Sequence, residues 1–289
     1  MKVETLDLSI AVISWNTKDL LKDCLTSIFE KGCPFEVIVV DNNSTDGSVE
    51  MVKKEFPEVR LIQNPINIGY AKACNQAIEA SRGKYIFLLN SDTRVFPKAS
   101  DRLVEFMENH EDVGVVGPLL LNPNGSIQYS CRNFPSFGEA MVHAFFGVIF
   151  PSNPISRKYK MADWDHKSER VVDWVSGAAI CLRRKALEDV GFFDEGYFMY
   201  VEDLDLCYRM WKKGWRVYFT PDARVVHYIA ESSKRQSMPM IIEFQKSMYR
   251  FYSKRYGNSW KRYLKLLVAL GLCLRGCLLV CINFLRRRK

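Results

Sequence analysis

The chain predicts an α/β fold: a mostly parallel, Rossmann-like sheet flanked by helices, with a basic and apolar helical segment at its C-terminal end. Three observations predict it. Short apolar runs of strand length alternate with segments of helical period. Two of those runs end in acidic, turn-rich clusters, where an open parallel sheet binds ligands. The positive charge is concentrated in the last fifth of the sequence. At 289 residues, 48% hydrophobic and 26% charged, the chain can bury a substantial core and is not a disordered polymer.

Residues 6–14 (LDLSIAVIS), 35–40 (FEVIVV) and 85–89 (YIFLL) are the first three predicted strands. Between the first two, Leu20, Leu21, Cys24, Leu25 and Ile28 recur at helical spacing over residues 19–31. Residues 48–56 and 70–80 also read as helices, and alternation of this kind pairs the strands in parallel through right-handed crossovers. A helix over 101–109 and a strand over 113–118 follow. Residues 122–127 (NPNGSI) signal a hairpin, and polar residues 152–169 read as one long loop. A strand is expected over 173–182. Residues 202–213 (EDLDLCYRMWKK) open acidic, close basic and precede Gly214, as a helix does. Two short strands, 215–219 and 223–227, complete the body.

The net charge of +8 conceals an asymmetry. Residues 234–289 carry 14 Lys/Arg and one acidic residue, Glu243, for +13; the other 233 residues hold 27 basic and 32 acidic side chains, for −5. That division excludes a uniformly basic nucleic-acid binder. Residues 1–7 lack a basic segment followed by an apolar one, so the body is expected in the cytoplasm. The nine cysteines form no Cys-x-x-Cys pair and read as reduced, buried thiols.

The second strand runs into VVDNNSTDGS, placing Asp41 at its end. The third runs into LLNSDT, placing Asn90, Ser91 and Asp92 just beyond it. A carboxylate at that edge can hold a hard divalent cation, which in turn neutralises a diphosphate. The first strand is followed by ISWNTKDLL, not by a G-x-G-x-x-G, and no G-x-x-x-x-G-K-[ST] occurs. NAD-dependent redox chemistry and P-loop phosphate transfer therefore lose their main warrants.

SIAVISWNTKDLLKDCLTSI, EVIVVDNNSTDGS, NPINIGYAKACNQAIEASRGKYIFLLNSDT and the later VDWVSGAAICLRRKALEDVGFFDEGYFMYVEDLDLCYRMWKKGWRVYFTPDARVVHYIAESS, in this order, resemble a family 2 glycosyltransferase of the GT-A fold, in its rhamnosyltransferase-like branch. The resemblance covers about residues 6–233. It implies that Ser14, Asn16, Asp41, Asn43, Asn67, Gly69 and Asn75 line the nucleotide side of the donor pocket. It sets Asn90-Ser91-Asp92 at the family's D-x-D position, with a neutral Asn90 as a departure from the pattern. Asp92, with His227, would hold Mg²⁺ or Mn²⁺. Asp203 would be the base of an inverting transfer and Glu202 its neighbour, with a helix N-terminus favouring the charged form of both. Trp174, Ser176 and Gly177 would form part of the acceptor pocket.

The tail contains LLVALGLCLRGCLLVCINFL over 266–285, almost long enough to span a bilayer. Arg275 in its middle is costly for a spanning helix. Lys265, Arg275, Asn283 and Arg286 fall in an arc of about 80° on a helical wheel. Basic clusters flank both ends, which spanning would split across the membrane. A helix over about 264–285, lying in the cytoplasmic interface on anionic lipid, is therefore expected, with a spanning helix as the alternative. Cys273, Cys277 and Cys281 are expected as small residues on a packed stripe. The whole reads as a domain over 1–233 and a membrane-associating tail over 234–289. It would transfer a sugar, such as rhamnose, from a nucleoside diphosphate donor to a glycan or lipid-linked saccharide in cell-surface polysaccharide synthesis. The alternative is a catalytically silent nucleotide-sugar or glycan binder at the membrane, favoured only by Asn90.

Overall fold

A computed structural model describes residues 7–30, 35–139, 150, 153–228 and 238–287. The apolar run 141–149, including His143, lies outside the described residues. Strands β1 (Leu8–Ser14), β2 (Glu36–Asp41), β3 (Arg60–Gln63) and β4 (Tyr85–Asn90) form the parallel half of a nine-stranded sheet, in the order β3-β2-β1-β4. The helices between them are α1 (Lys18–Phe29), α2 (Ser48–Glu55) and α3 (Tyr70–Ala80). Alternate residues of the strands face opposite sides. Ile13, Ile38, Val40, Ile86 and Leu88 pack on one face with α3; Leu8, Ile10, Val12, Val37, Val39 and Phe87 pack on the other with α1. Both faces are covered, which is why these strands are continuous apolar runs rather than alternating ones.

Strand β5 (Thr93–Val95) and helix α4 (Ala99–Asn109) lead into β6 (Val113–Leu121). The 122–127 turn forms as expected: Leu121 bridges Ile127 and the Asn122 amide donates to the Ser126 carbonyl at 2.8 Å. Three expectations change. The long loop contains a helix, α5 (Pro154–Tyr159), which Asn153 caps by accepting from the Ser156 amide at 2.9 Å while Pro154 opens the first turn. The single strand over 173–182 breaks into β9 (Trp174–Val175), paired with β7 (Cys131–Arg132), and β10 (Ala179–Arg183), which lies antiparallel between β4 and β6. The two late strands are one, β11 (Arg216–His227), parallel to β6 with an irregularity between Thr220 and Arg224. Pro221 lies there and has no amide hydrogen to give the ladder. β5 and β8 (Arg170–Val171) pair antiparallel with β11. The second half of the sheet is thus mixed, whereas the first is wholly parallel. β3 and β5 are four and three residues long, too short for a periodic signal.

Helices α6 (Arg184–Val190) and α7 (Glu202–Lys212) pack on the α3 face. The loop between them meets α3 closely. The Tyr70 amide donates to the Phe198 carbonyl at 2.7 Å, and a Cβ on Gly69, whose φ is +89°, would stand 2.6 Å from that oxygen. Helix α8 (Met238–Arg255) docks on the body: Phe251 enters the core, the Ser247 hydroxyl donates to the Met199 carbonyl, and Arg250 and Lys254 pair with Asp194. Lys254 also reaches the buried Asp205, which pairs with Arg209.

A short 3-10 turn (Trp260–Leu264) leads to α9 (Lys265–Arg287), which packs along α8. The stretch Trp260–Phe284 is long and apolar enough to cross a membrane and is little buried. Leu266, Leu267, Leu270, Leu274, Leu278 and Phe284 are exposed. Arg275 faces α8, lying 5.0 Å from the Phe244 ring and donating to Gln245 Oε1 at 3.1 Å. The ring and the amide shelter the guanidinium, so its mid-helix position does not put it on the exposed apolar face of α9. Cys273, Cys277 and Cys281 are exposed, not packed. Replacing Gly69 by alanine should destabilise the protein by about 2 kcal/mol or more, since a left-handed backbone and a closed approach both oppose a Cβ; urea unfolding monitored by tryptophan fluorescence measures it.

Candidate active site

The parallel register brings three strand ends to one edge: Ser14 pairs with Asp41, and Ile13 with Asn90. Behind them a hydroxyl chain ties the β1 and β4 ends, Ser14 Oγ to Thr17 Oγ1 at 3.2 Å and Thr17 Oγ1 to Ser91 Oγ at 2.6 Å. Asp41 is buried. Its Oδ1 accepts from the Ser44 amide at 2.8 Å, while Oδ2 is buried with no hydrogen-bond partner. An orphaned carboxylate oxygen at a ligand edge is a ready acceptor for a donor on an incoming base.

Asn16 and Asn43 both hold left-handed backbone, with φ of 52° and 67°, which asparagine tolerates best among residues with a Cβ. The Asn16 side chain binds the two loops together, accepting from the Thr45 amide at 2.8 Å. Asn67 accepts from the Gly69 amide at 3.0 Å and shapes the entry to α3. Asn75 is buried and its amide is saturated: it accepts from the Phe193 amide, donates to the Phe193 carbonyl and also donates to Glu195. Asn75 therefore anchors the 192–201 loop.

Asn90 Oδ1 is buried with no hydrogen-bond partner. Two residues on, Asp92 Oδ1 lies 3.3 Å from His227 Nε2. The pairing of β11 with β5 sets His227 opposite Thr93 and so beside Asp92. Gln128 contacts His227 Nδ1 at 2.7 Å through Oε1, while its Nε2 donates to Asn122 Oδ1. The amide oxygen can accept only from Nδ1–H, and this contact orients the ring with Nε2 toward Asp92. Among the described residues no three His, Cys, Asp or Glu side chains converge. Asp92 and His227 lie together here, and the orphaned Asn90 Oδ1 stands two residues before Asp92; oxygen and nitrogen donors of this kind are ones that Mg²⁺ or Mn²⁺ accepts.

The second half of the site is joined to the first through residues 176–178. The Asn90 amide donates to the Ala178 carbonyl at 2.9 Å, the Gly177 amide donates to Asp203 Oδ2 at 2.8 Å, and the Tyr70 hydroxyl donates to the Gly177 carbonyl at 2.9 Å. Ser176 is held by its amide to the Ser130 carbonyl. Trp174 carries a buried indole N–H without a partner. Over its ring, at 5.9 Å, stands the half-buried Arg132, whose charge pulls the Asp203 carboxyl down against its burial. Arg132 lies outside every motif noticed in the sequence; a strand of two residues, β7, carries no periodic signal.

Burial raises the carboxyl of Asp203 above its ordinary range, against the pull of the Gly177 and Leu204 amides. Glu202 is buried with Oε2 unpaired, and burial, then the Asp203 charge, holds it well above the ordinary carboxylate range. This corrects the expectation that the helix N-terminus keeps both groups charged: for Glu202, desolvation outweighs the dipole. The corner before them is tight, with Tyr200 and Val201 at φ of 69° and 72°, a region that β-branched residues rarely occupy.

The mixed α/β sheet matches the GT-A fold of solved glycosyltransferases. The glycosyl transferase family 2 model matches residues 9–191, and the chain belongs to that family. It is 34% identical over 268 residues, 89% of this chain and 87% of the relative, to N-acetylglucosaminyl-diphospho-decaprenol L-rhamnosyltransferase of Mycobacterium tuberculosis. It is 25% identical to rhamnosyltransferase WbbL of Escherichia coli K12, across 85% of this chain and 92% of that one. Among solved structures, the mannosyltransferase PcManGT from Pyrobaculum calidifontis, in complex with GDP-Man and Mn²⁺, matches 94% of this chain and 74% of its own, with a TM-score of 0.59 at 18% identity. GalNAc-T7 with UDP, GalNAc and Mn²⁺ matches with a TM-score of 0.61 at 16% identity, over 88% of this chain and 51% of that chain. The fold is GT-A, and the protein is a glycosyltransferase of polysaccharide synthesis.

Because Glu202 retains its proton in the folded state above the pH at which the unfolded chain releases it, stability falls as pH rises past the unfolded value of about 4.3. Glu202→Gln should therefore raise Tm by roughly 2 °C at pH 8 and by less at pH 5, measured by calorimetry.

Proposed function

We propose that the protein is an inverting glycosyltransferase. It moves a deoxyhexose such as rhamnose from a nucleoside diphosphate donor to a lipid-linked saccharide at the cytoplasmic face of the membrane. The observation that carries this reading is the continuity of residues 176–178, which bond to Asn90 on one side and to Asp203 on the other. A half-buried carboxylate is thereby fixed beside the strand edge where a diphosphate donor would end.

In this reading the base and ribose lie against Ser14, Asn16, Asp41 and Asn43, and the free Asp41 Oδ2 accepts from the base. Asn67 and Gly69 shape the nucleotide side, and Asn75 holds its wall. Asn90, Ser91, Asp92 and His227 would hold Mg²⁺ or Mn²⁺, which supplies positive charge to the departing diphosphate. The acceptor lies over Trp174, Ser176 and Gly177, its sugar against the indole face. Asp203 accepts the proton of the attacking hydroxyl at Oδ1 or Oδ2, and the raised pKa strengthens it as a base near neutral pH. Glu202, kept neutral, adds no second charge to repel the leaving diphosphate. Arg132 balances the Asp203 charge. The support for rhamnose and for a lipid-linked acceptor is the likeness to the mycobacterial and E. coli rhamnosyltransferases.

Residues 1–233 would carry the chemistry and residues 234–289 the membrane attachment. Trp260 and Tyr263, both exposed at the start of the apolar helix, suit the headgroup region, and the flanking basic residues suit anionic lipid. Asp203→Asn should lower kcat by about 10²–10⁴-fold while nucleotide binding persists by calorimetric titration; normal transfer by the variant would remove Asp203 from the role. Deleting residues 264–289 should release the protein from anionic liposomes in a flotation assay.

A further inference from the structure

Beside Trp174, β7 and the end of α5 bring two cations together. Arg132 is the cross-strand neighbour of Trp174, and its guanidinium stands over the indole at 5.9 Å. Only Nη1 is spent on backbone, donating to the Tyr129 and Cys131 carbonyls. Among the described residues Nε and Nη2 have no hydrogen-bond partner, and no carboxylate pairs with the guanidinium. Lys160 follows Tyr159, whose ring lies 6.4 Å from the Trp174 ring. Asn133 fastens this end of α5 to β7: its amide donates to the Tyr159 carbonyl at 3.1 Å and its Nδ2 to the Lys158 carbonyl at 2.9 Å. The half-buried Lys160 ammonium likewise makes no ion pair and no hydrogen bond among the described residues. We propose that Arg132 and Lys160 form a subsite for a phosphate of the acceptor, beside the sugar that lies on Trp174. The proposal rests on the lipid-linked acceptor class given above.

Charge and donor chemistry select the ligand. Burial pulls the pKa of both cations below the ordinary range, and the Arg132 charge pulls Lys160 lower still. Two like charges drawn together in half-dry surroundings repel each other until an anion joins them. Asp203 does not meet that need. Its Oδ2 accepts from the Gly177 amide and its Oδ1 from the Leu204 amide, and among the described residues it pairs with neither cation. A single carboxylate against two cations also leaves this corner positive. A guanidinium, an ammonium and the orphaned Trp174 indole N–H can only donate, so the wall suits a ligand rich in acceptor oxygens. The planar fork of an arginine matches phosphate oxygens in particular. In a saccharide joined to lipid through phosphate, that anion stands at the far end of the sugar from the attacking hydroxyl. The pair also sits in the separate two-stranded sheet and α5, away from the Asn90–Asp92 strand end that receives the donor in the proposed reading.

The test gives the full-length protein in detergent two acceptors that differ only at the anion: N-acetylglucosaminyl diphosphate with an undecyl tail, and undecyl N-acetylglucosaminide, which has no phosphate. The diphosphate acceptor should have a KM about tenfold lower. Lys160→Met should raise that KM about tenfold while the KM of the uncharged glycoside and of the donor stay within about twofold, and Lys160→Arg should restore it. Lys160→Gln repeats the comparison should the methionine variant fail to fold. A preference unchanged in Lys160→Met overturns the proposal. So does a rise in donor KM in place of acceptor KM, which would give the anion to the donor. A second readout needs no transfer: inorganic diphosphate titrated by calorimetry into the metal-free protein in EDTA. It should bind the wild type and Asp92→Asn alike and Lys160→Met about fivefold more weakly; loss in Asp92→Asn with retention in Lys160→Met overturns the proposal. Diphosphate binding in the expected pattern without transfer to either acceptor would sink the proposed activity and leave the subsite standing, whereas transfer to both acceptors with equal KM would do the reverse.

Discussion

The arrangement of the site depends on three backbone groups, the amide of Gly177 and the carbonyls of Gly177 and Ala178. They bond, respectively, to Asp203, Tyr70 and Asn90. This short break between β9 and β10 is where the parallel half of the sheet meets α7. Without it the strand-end cluster and the carboxylate pair would belong to separate elements with no shared reference. A Cβ at 177 would stand 3.4 Å from Asp203 Cβ, in van der Waals contact with the carboxylate side chain.

The parallel half of the fold was legible because each buried strand is an apolar run and each helix shows a 3.6-residue stripe, such as Leu21, Cys24, Leu25 and Ile28. The polar strand ends were legible for the same reason: once β2 and β4 are located, Asp41 and Asn90 follow by counting. What was hidden depends on contacts distant in sequence. Nothing local distinguishes the 173–182 run from one strand, because its interruption is imposed by Asp203 and Ser130. Gln128 sits in irregular backbone and Arg132 in the two-residue β7, and their contacts emerge only when β11 brings His227 and β9 brings Trp174 alongside. The orientation of Arg275 was hidden too, since a helical wheel of α9 does not contain α8.

Unpaired buried polar atoms concentrate at this edge. Asp41 Oδ2, Asn90 Oδ1, Trp174 Nε1 and Glu202 Oε2 account for four of the five such side-chain atoms among the described residues. Each costs stability when left unsatisfied, and their clustering distinguishes a site prepared for polar ligands from a packing fault. His166 supplies the fifth; it sits among Tyr129, Trp164 and Phe219, an aromatic setting away from the strand ends.

The left-handed pair Tyr200–Val201 gives the C-terminal helices a mechanical meaning. Such a corner persists only where its surroundings over-determine it, and here α8 supplies the restraint through Ser247 on the Met199 carbonyl and Phe244 on Tyr200. The corner that opens α7 is therefore clamped, through one aromatic contact and one hydrogen bond, by the same helix on which α9 packs, so a displacement of α8 would reach the backbone that carries Asp203.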